Sequence, residues 1–364
     1  MTKPSTGTSL DLRDGSVLKG IAIMAIVFHN FFHLLPRAAT ENEFDFDPRR
    51  FRYFLGVVDD PTNTVQALFS FLGHFGVQLF IFLSAYGLAL KYWHTPSWSG
   101  FVWSRIRKIY PTWFLALGLY LLLKLVQDRP AGLWDFLQRQ GDELVLTMLG
   151  VLTLLPGFGL PPVGPWWFLP FIVQFYVVWR LLASFTRRFG GAGLLILSTL
   201  SLGVTVAFAE TLSRDYEISL LTTPVGHLPE LALGIACARL GLRLGPVSAI
   251  AAAAFFVLGN LDAWFWPLTY ISALVMLLYA YPWVSGTLRN SRVLVWIGEV
   301  SMPLFFVNGF LRGPFWAASS SGVWYVQLAA GLAFALASLG VAYMLWVVER
   351  RLVAPERPSK PLPA

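Results

Sequence analysis

The residues able to do chemistry are few, and most lie in apolar surroundings. The stretch "VLKGIAIMAIVFHNFFHLLP" carries Lys19, His29, Asn30 and His33. Ten helical steps separate Lys19 from His29, roughly 15 Å of rise. An imidazole at that depth stays neutral at little cost and can move a proton. His29 therefore reads as a general base or a nucleophile. It reads equally as a histidine hydrogen-bonded in a helix interface. His33 follows one turn later on nearly the same face.

A second apolar run, "GHFGVQLFIFLSAYGLALKYW", holds His74, Gln78 and Ser84 among Gly, Ala and Phe. Its small residues suit close helix packing or the close approach of a ligand. Next comes "SRIRKIYPTWF", whose Arg105, Arg107 and Lys108 suit phosphates or plain anchoring at a membrane face. Trp166 and Trp167 open "GPWWFLPFIVQFYVVW", where they suit an aromatic belt or a flat face for a sugar ring. Glu230 stands in "VGHLPELALG", three residues after His227. Glu299 stands in "IGEVSMPLFFVNGF", nine residues before Asn308, and reads equally as a helix-start residue.

Other chemistries find no support. The sequence has no HExxH, CxxC or acidic repeat with ligand spacing, so no metal is expected. Walker A, GxGxxG and GxSxG patterns are missing too, which argues against a nucleotide-driven pump. One cysteine, Cys237, excludes an intrachain disulfide.

The elements that must position these residues follow from composition. The chain has 364 residues, 56% hydrophobic and 13% charged, with a mean hydropathy of +0.62. Soluble domains run near 25% charged. The composition excludes a disordered chain, a disulfide scaffold and an ordinary cytosolic enzyme, and it predicts an all-α polytopic membrane protein. Apolar stretches of spanning length lie near 16–35, 66–90, 110–127, 165–184, 191–210, 222–241, 246–261, 263–285, 293–312 and 323–348. These predict ten transmembrane helices. A shorter stretch, 144–158, suits an interfacial or re-entrant helix.

Charge orients the ten. With the N-terminus inside, Arg105, Arg107, Lys108, Arg187, Arg188, Arg239, Arg243, Arg350 and Arg351 all fall on the cytoplasmic side. The acids gather in the outer loops 41–60, 128–143 and 210–217. A net charge of +7 thus has a membrane explanation, and no nucleic-acid partner is expected. Lys19 and His29, with no small-residue cleavage site, argue against a cleaved signal peptide in the first span. No internal repeat is visible. Residues 1–350 read as one transmembrane domain, and the Pro-rich 351–364 as a disordered cytoplasmic tail.

In order along the chain, "LKGIAIMAIVFHN", "GVQLFIFLSAYG", "RIRKIYP", "WWFLPFIVQFYVVW" and "GEVSMPLFF" resemble the motifs of the acyltransferase-3 family of integral membrane acyltransferases. The resemblance covers about residues 12–348. It implies transfer of an acyl group, commonly acetyl, from a cytoplasmic acyl-coenzyme A to a hydroxyl of an extracytoplasmic glycan. The acceptor would be an exopolysaccharide, a capsule or a lipopolysaccharide. His29 falls on the family's central catalytic histidine, and Arg105 and Lys108 on its coenzyme A-binding basic residues.

The sequence departs from the pattern at three points. Lys19 replaces an Arg and stands one residue nearer the histidine, about 80° off its face. Asn308 stands where many members have a histidine, and Ala85 replaces the Gly after Ser84.

These readings combine into one expectation. His29, Asn30 and Ser84 form the catalytic group. Lys19, Arg105, Lys108 and Glu299 hold acetyl-coenzyme A or another acyl-coenzyme A. His33, His74, Trp167, Glu230 and Asn308 meet the acceptor. The setting is a bacterial inner membrane with both termini cytoplasmic. A flippase for a lipid-linked sugar is the alternative, and a non-enzymatic scaffold a third reading. Consumption of the acyl donor separates the enzyme from both.

Overall fold

In the computed structural model of the chain, residues 10–36, 38–94 and 97–352 are described. A chain in hydrocarbon must satisfy its backbone within each segment, and uninterrupted helix does this. Among the described residues all regular structure is helical. The first elements are α1 (Leu12–Phe32), α2 (Pro48–Val57), α3 (Thr64–Leu72) and α4 (Gly76–Lys91). Two long elements follow, α5 (Trp98–Leu149) and α6 (Phe168–Tyr216). The rest are α7 (Leu228–Arg239), α8 (Pro246–Leu261), α9 (Leu268–Leu288), α10 (Arg292–Glu299), α11 (Ser301–Asn308), α12 (Trp316–Ser319) and α13 (Trp324–Leu352).

Helix α1 is the hub. It packs against α3, α4, α10, α11 and α13, and Val17, Leu18, Ile23 and Val27 have no exposed surface. A helix apolar all round is stable only when surrounded. Its start is fixed by a capping box: the Asp11 carboxylate accepts from the Asp14 N–H at 2.8 Å, and Asp14 accepts from the Asp11 N–H at 3.0 Å. Arg289, just past α9, pairs with Asp11, and the Tyr281 hydroxyl donates to Asp14 at 2.8 Å.

Two glycines let helices approach α1. A Cβ on Gly298 would collide with the Ser16 carbonyl of α1. One on Gly73, between α3 and α4, would come within 2.7 Å of both the Ala25 carbonyl and His29 Cβ. The Gly-rich opening of the second apolar run is therefore a packing surface that sets α3 and α4 against the turn bearing His29.

Several basic residues have structural work. Arg239 of α7 donates to the Ala89 and Leu90 carbonyls at 2.7 and 2.9 Å, and Arg187 of α6 to the Trp93 carbonyl at 2.5 Å. They satisfy the carbonyls at and just beyond the end of α4, where cations are favoured.

Among the described residues, six helical segments are long and apolar enough to cross a membrane. They are Leu12–Phe32, Thr64–Lys91, Trp98–Leu149, Gly164–Tyr216, Leu268–Leu288 and Trp324–Leu352. The expected ten is not reached by this measure, because α7, α8 and the pair α10 and α11 are built of helices 8–16 residues long, and the expected spans 165–184 and 191–210 are both parts of α6. Two of the six are bent double arms. Helix α5 breaks at Arg129 (φ 61°), just before Pro130, and α6 at Gly190 (φ 59°). The stretch 144–158 is not a helix of its own. It is the end of α5 followed by a 3-10 turn, Leu152–Leu154. The expected tail begins inside α13, which ends at Leu352; residues 353–364 lie outside the described residues. Leu181, Leu195, Val247, Ile250 and Leu336 are 69–81% exposed. Such faces are at home in lipid, not water.

Candidate active site

The last turns of α1 carry His29, Asn30 and, just past the helix, His33. Gly73 sets His74 opposite them. The ring of His29 lies 4.8 Å from that of His33 and 5.4 Å from that of His74. All three line one cavity of about 360 Å³, a size that takes a small ligand. Asn30, Asn42, Glu43, Asp45, Trp167, Phe305 and Arg312 share its wall.

The tautomer of His29 follows from its one hydrogen bond. Nδ1 lies 3.1 Å from the Phe69 carbonyl. A carbonyl only accepts, so Nδ1 carries a proton, and in the neutral ring Nε2 keeps its lone pair. No partner among the described residues takes that lone pair. The residue is 6% exposed, and the cavity is what its free nitrogen meets. The result is an imidazole of fixed orientation at the wall of a small-ligand cavity.

Asn30 is held from two sides. Its Nδ2 donates to the Asn308 Oδ1 at 2.6 Å, and its carbonyl accepts from Arg312 Nη1 at 2.6 Å. Asn308 is fully buried and donates to the Leu304 and Phe305 carbonyls at 3.0 and 2.7 Å. It is a bridge between α11 and α1, one residue behind the cavity wall.

The two tryptophans divide their labour. Trp166 is fully buried and donates to the Phe306 carbonyl at 2.9 Å. Trp167 lines the cavity on the same wall as Glu43. Behind Trp167 stands His227, stacked on it with centroids 6.1 Å apart, and Glu230 lies 3.7 Å from His227. Glu230 is thus buried one shell outside the wall.

Burial pushes the Glu43 carboxyl up to about 7 and that of Glu41 up to about 8. Both sit in the segment between α1 and α2.

Five expected site residues lie away from this cavity. Ser84 is on α4, beyond the turn bearing His74. Lys19 is exposed, roughly 15 Å down α1 from His29, so the two do not pair. Glu299 is exposed at the end of α10. Arg105 donates to the Tyr92 hydroxyl at 2.6 Å and lies over its ring. Lys108 is exposed on α5. Lys19 and Glu299 lie on the packed helices α1 and α10, and Arg105 and Lys108 on the first part of α5.

Glu43, Asp45, Asn42 and Arg312 were not singled out in the sequence. Glu43 and Asp45 sit in "ENEFDFDP", where alternating acids and aromatics read as an ordinary outer loop. Arg312 reads as a boundary charge at the end of a span. Among the described residues no group of three His, Cys, Asp or Glu is arranged to hold a metal. A second groove, about 480 Å³ between α6 and α7, is walled by Leu, Val and Phe, with Arg188 as its one charge.

The family model for an acyltransferase domain matches residues 14–347, nearly the whole chain. The chain belongs to the acyltransferase-3 family, and it is a multi-pass membrane acyltransferase. No curated protein and no solved structure matches it significantly.

Proposed function

We propose that the protein transfers an acyl group, acetyl in the simplest case, from an acyl-coenzyme A to a hydroxyl of a cell-surface glycan. His29 is the general base. The observation that carries this reading is the oriented His29, with Nδ1 committed to the Phe69 carbonyl and Nε2 open to the cavity. Nε2 takes the proton of the acceptor hydroxyl as its oxygen attacks the thioester carbonyl. The C–S bond breaks, an ester C–O bond forms, and the proton passes to the departing thiolate, giving free coenzyme A.

The tetrahedral intermediate needs a hydrogen-bond donor for its oxyanion. The Asn30 side chain, held by Asn308, is the nearest neutral amide to His29 in sequence. Trp167 supplies a flat face for a sugar ring. The basic end with Arg105, Arg107 and Lys108 suits the donor's phosphates and is cytoplasmic in this reading; the histidine cavity opens to the opposite side. The protein then sits in a bacterial inner membrane, with both termini inside.

The test is free-thiol release by the purified full chain in nanodiscs. Acetyl-coenzyme A is supplied with and without crude surface glycan. Release that rises with glycan, together with ester-linked acetyl on the glycan, supports the reading. Donor binding without release, and glycan left unmodified, contradict it.

A further inference from the structure

Arg312 is the cation on the wall of the histidine cavity, and it has no carboxylate partner among the described residues. It lies in the turn after α11 and is partly buried. Its Nη1 donates to the Asn30 carbonyl at 2.6 Å, and the rest of its fork has no partner among the described residues. Neither carboxyl on the same wall pairs with it: Asp45 pairs with Arg50 at 2.7 Å, and Glu43 forms no ion pair among the described residues, its burial favouring the neutral form. A half-buried guanidinium without a carboxylate is costly, and a protein retains it where a ligand supplies the missing charge.

Position narrows the ligand. Asn30 directly follows His29, so the grip on its carbonyl sets the guanidinium beside the base. Both line the cavity of about 360 Å³. An anion held there must belong to a small part of a substrate that comes within a few ångströms of the reacting atoms. A planar fork with free N–H groups matches a carboxylate in two parallel hydrogen bonds.

We propose that Arg312 is a carboxylate-binding residue that sets substrate specificity, so that one of the two substrates carries a carboxylate near the reacting group. This rests on the acyl-transfer reading. The carboxylate has two sources: a dicarboxylic acyl group such as succinyl, or a uronic acid in the acceptor.

Four combinations separate them. Purified full-length protein in nanodiscs is given acetyl- or succinyl-coenzyme A, each with a glucose-based or a glucuronate-containing oligosaccharide. Thiol release is followed for wild type, Arg312→Gln and Arg312→Lys. Wild type is expected to favour the carboxylate-bearing member of one pair. Arg312→Gln is expected to lower kcat/KM for that substrate about 10- to 100-fold, the worth of a charge-assisted hydrogen bond. The loss for its neutral counterpart should be at least about tenfold smaller, and Arg312→Lys should recover part of the difference. A loss confined to succinyl-coenzyme A places the carboxylate on the acyl group, and one confined to glucuronate places it on the acceptor.

Wild type indifferent to both carboxylates overturns the proposal, as do equal losses across all four combinations. Succinamate and glucuronate binding by calorimetry, against acetamide and glucose, needs no turnover. If no combination releases thiol, the acyl-transfer reading fails. Carboxylate binding that Arg312→Gln abolishes would still uphold the role of Arg312; its absence in wild type would end it.

Discussion

At the scale of the residue, two hydrogen bonds decide what the site can do. The Phe69 carbonyl fixes the tautomer of His29, and Asn308 fixes Asn30. Glu43 offers a separate handle, because its carboxyl is buried outside the spanning helices and pushed up to about 7. The ordinary unfolded value lies near 4.5. Below that value both states hold the proton, and burial costs nothing in charge. Between about 4.5 and 7 the unfolded chain releases the proton first, so stability falls as pH rises. A Glu43→Gln variant should therefore match wild type in thermal midpoint at pH 4.5 and exceed it at pH 8. A variant less stable than wild type at pH 8 would contradict this burial argument. His29 was legible as a candidate from its depth in an apolar run, and the structure places it on the cavity wall. Glu43 and Arg312 were not, because charge at a loop or span boundary looks the same whether it faces water or a cavity.

At the scale of the element, the site depends on how closely the start of α4 meets α1. The small residues of the second apolar run admitted two readings in the sequence, ligand approach or packing. At Gly73 the answer is packing. A methyl there meets a carbonyl and His29 Cβ, both at 2.7 Å. Gly73→Ala should cost about 1–3 kcal/mol of stability, as overpacking does, and should lower acyl transfer more than tenfold by displacing His29. Gly87→Ala, on the same run, meets nothing within 4 Å and should leave both unchanged. Equal effects of the two would separate the site from this contact. The motif-matching Arg105 is a different case. Its type and place suit a phosphate, yet it is already engaged with Tyr92, a partner 13 residues away that spacing alone does not reveal.

At the scale of the whole molecule, the helical membrane class was plain in the composition, because 56% hydrophobic residues leave too little polar surface for water. The number of crossings was less legible. Hydropathy placed interruptions after 127 and between 184 and 191, where α5 and α6 break at Arg129 and Gly190, but it could not show that helix continues on both sides of each break or that short helices such as α10 and α11 meet end to end. The proposed orientation makes its own prediction. Cys237 is buried and gives little background to thiol reagents. In intact cells, a cysteine placed at Asp215 should react with an impermeant maleimide, and one at Arg243 should react only after lysis. The reverse pattern would invert the molecule and put the basic end outside.

The central claim, that His29 Nε2 is the base for acyl transfer, is tested most directly by one comparison. Wild type and His29→Ala, both folded in nanodiscs, are given the same acyl-coenzyme A and glycan, and the rate of thiol release is measured. Loss of a positioned general base predicts a fall of about 10²- to 10⁴-fold in kcat with donor binding retained. Release at the wild-type rate by the variant would contradict the account and remove His29 from the chemistry.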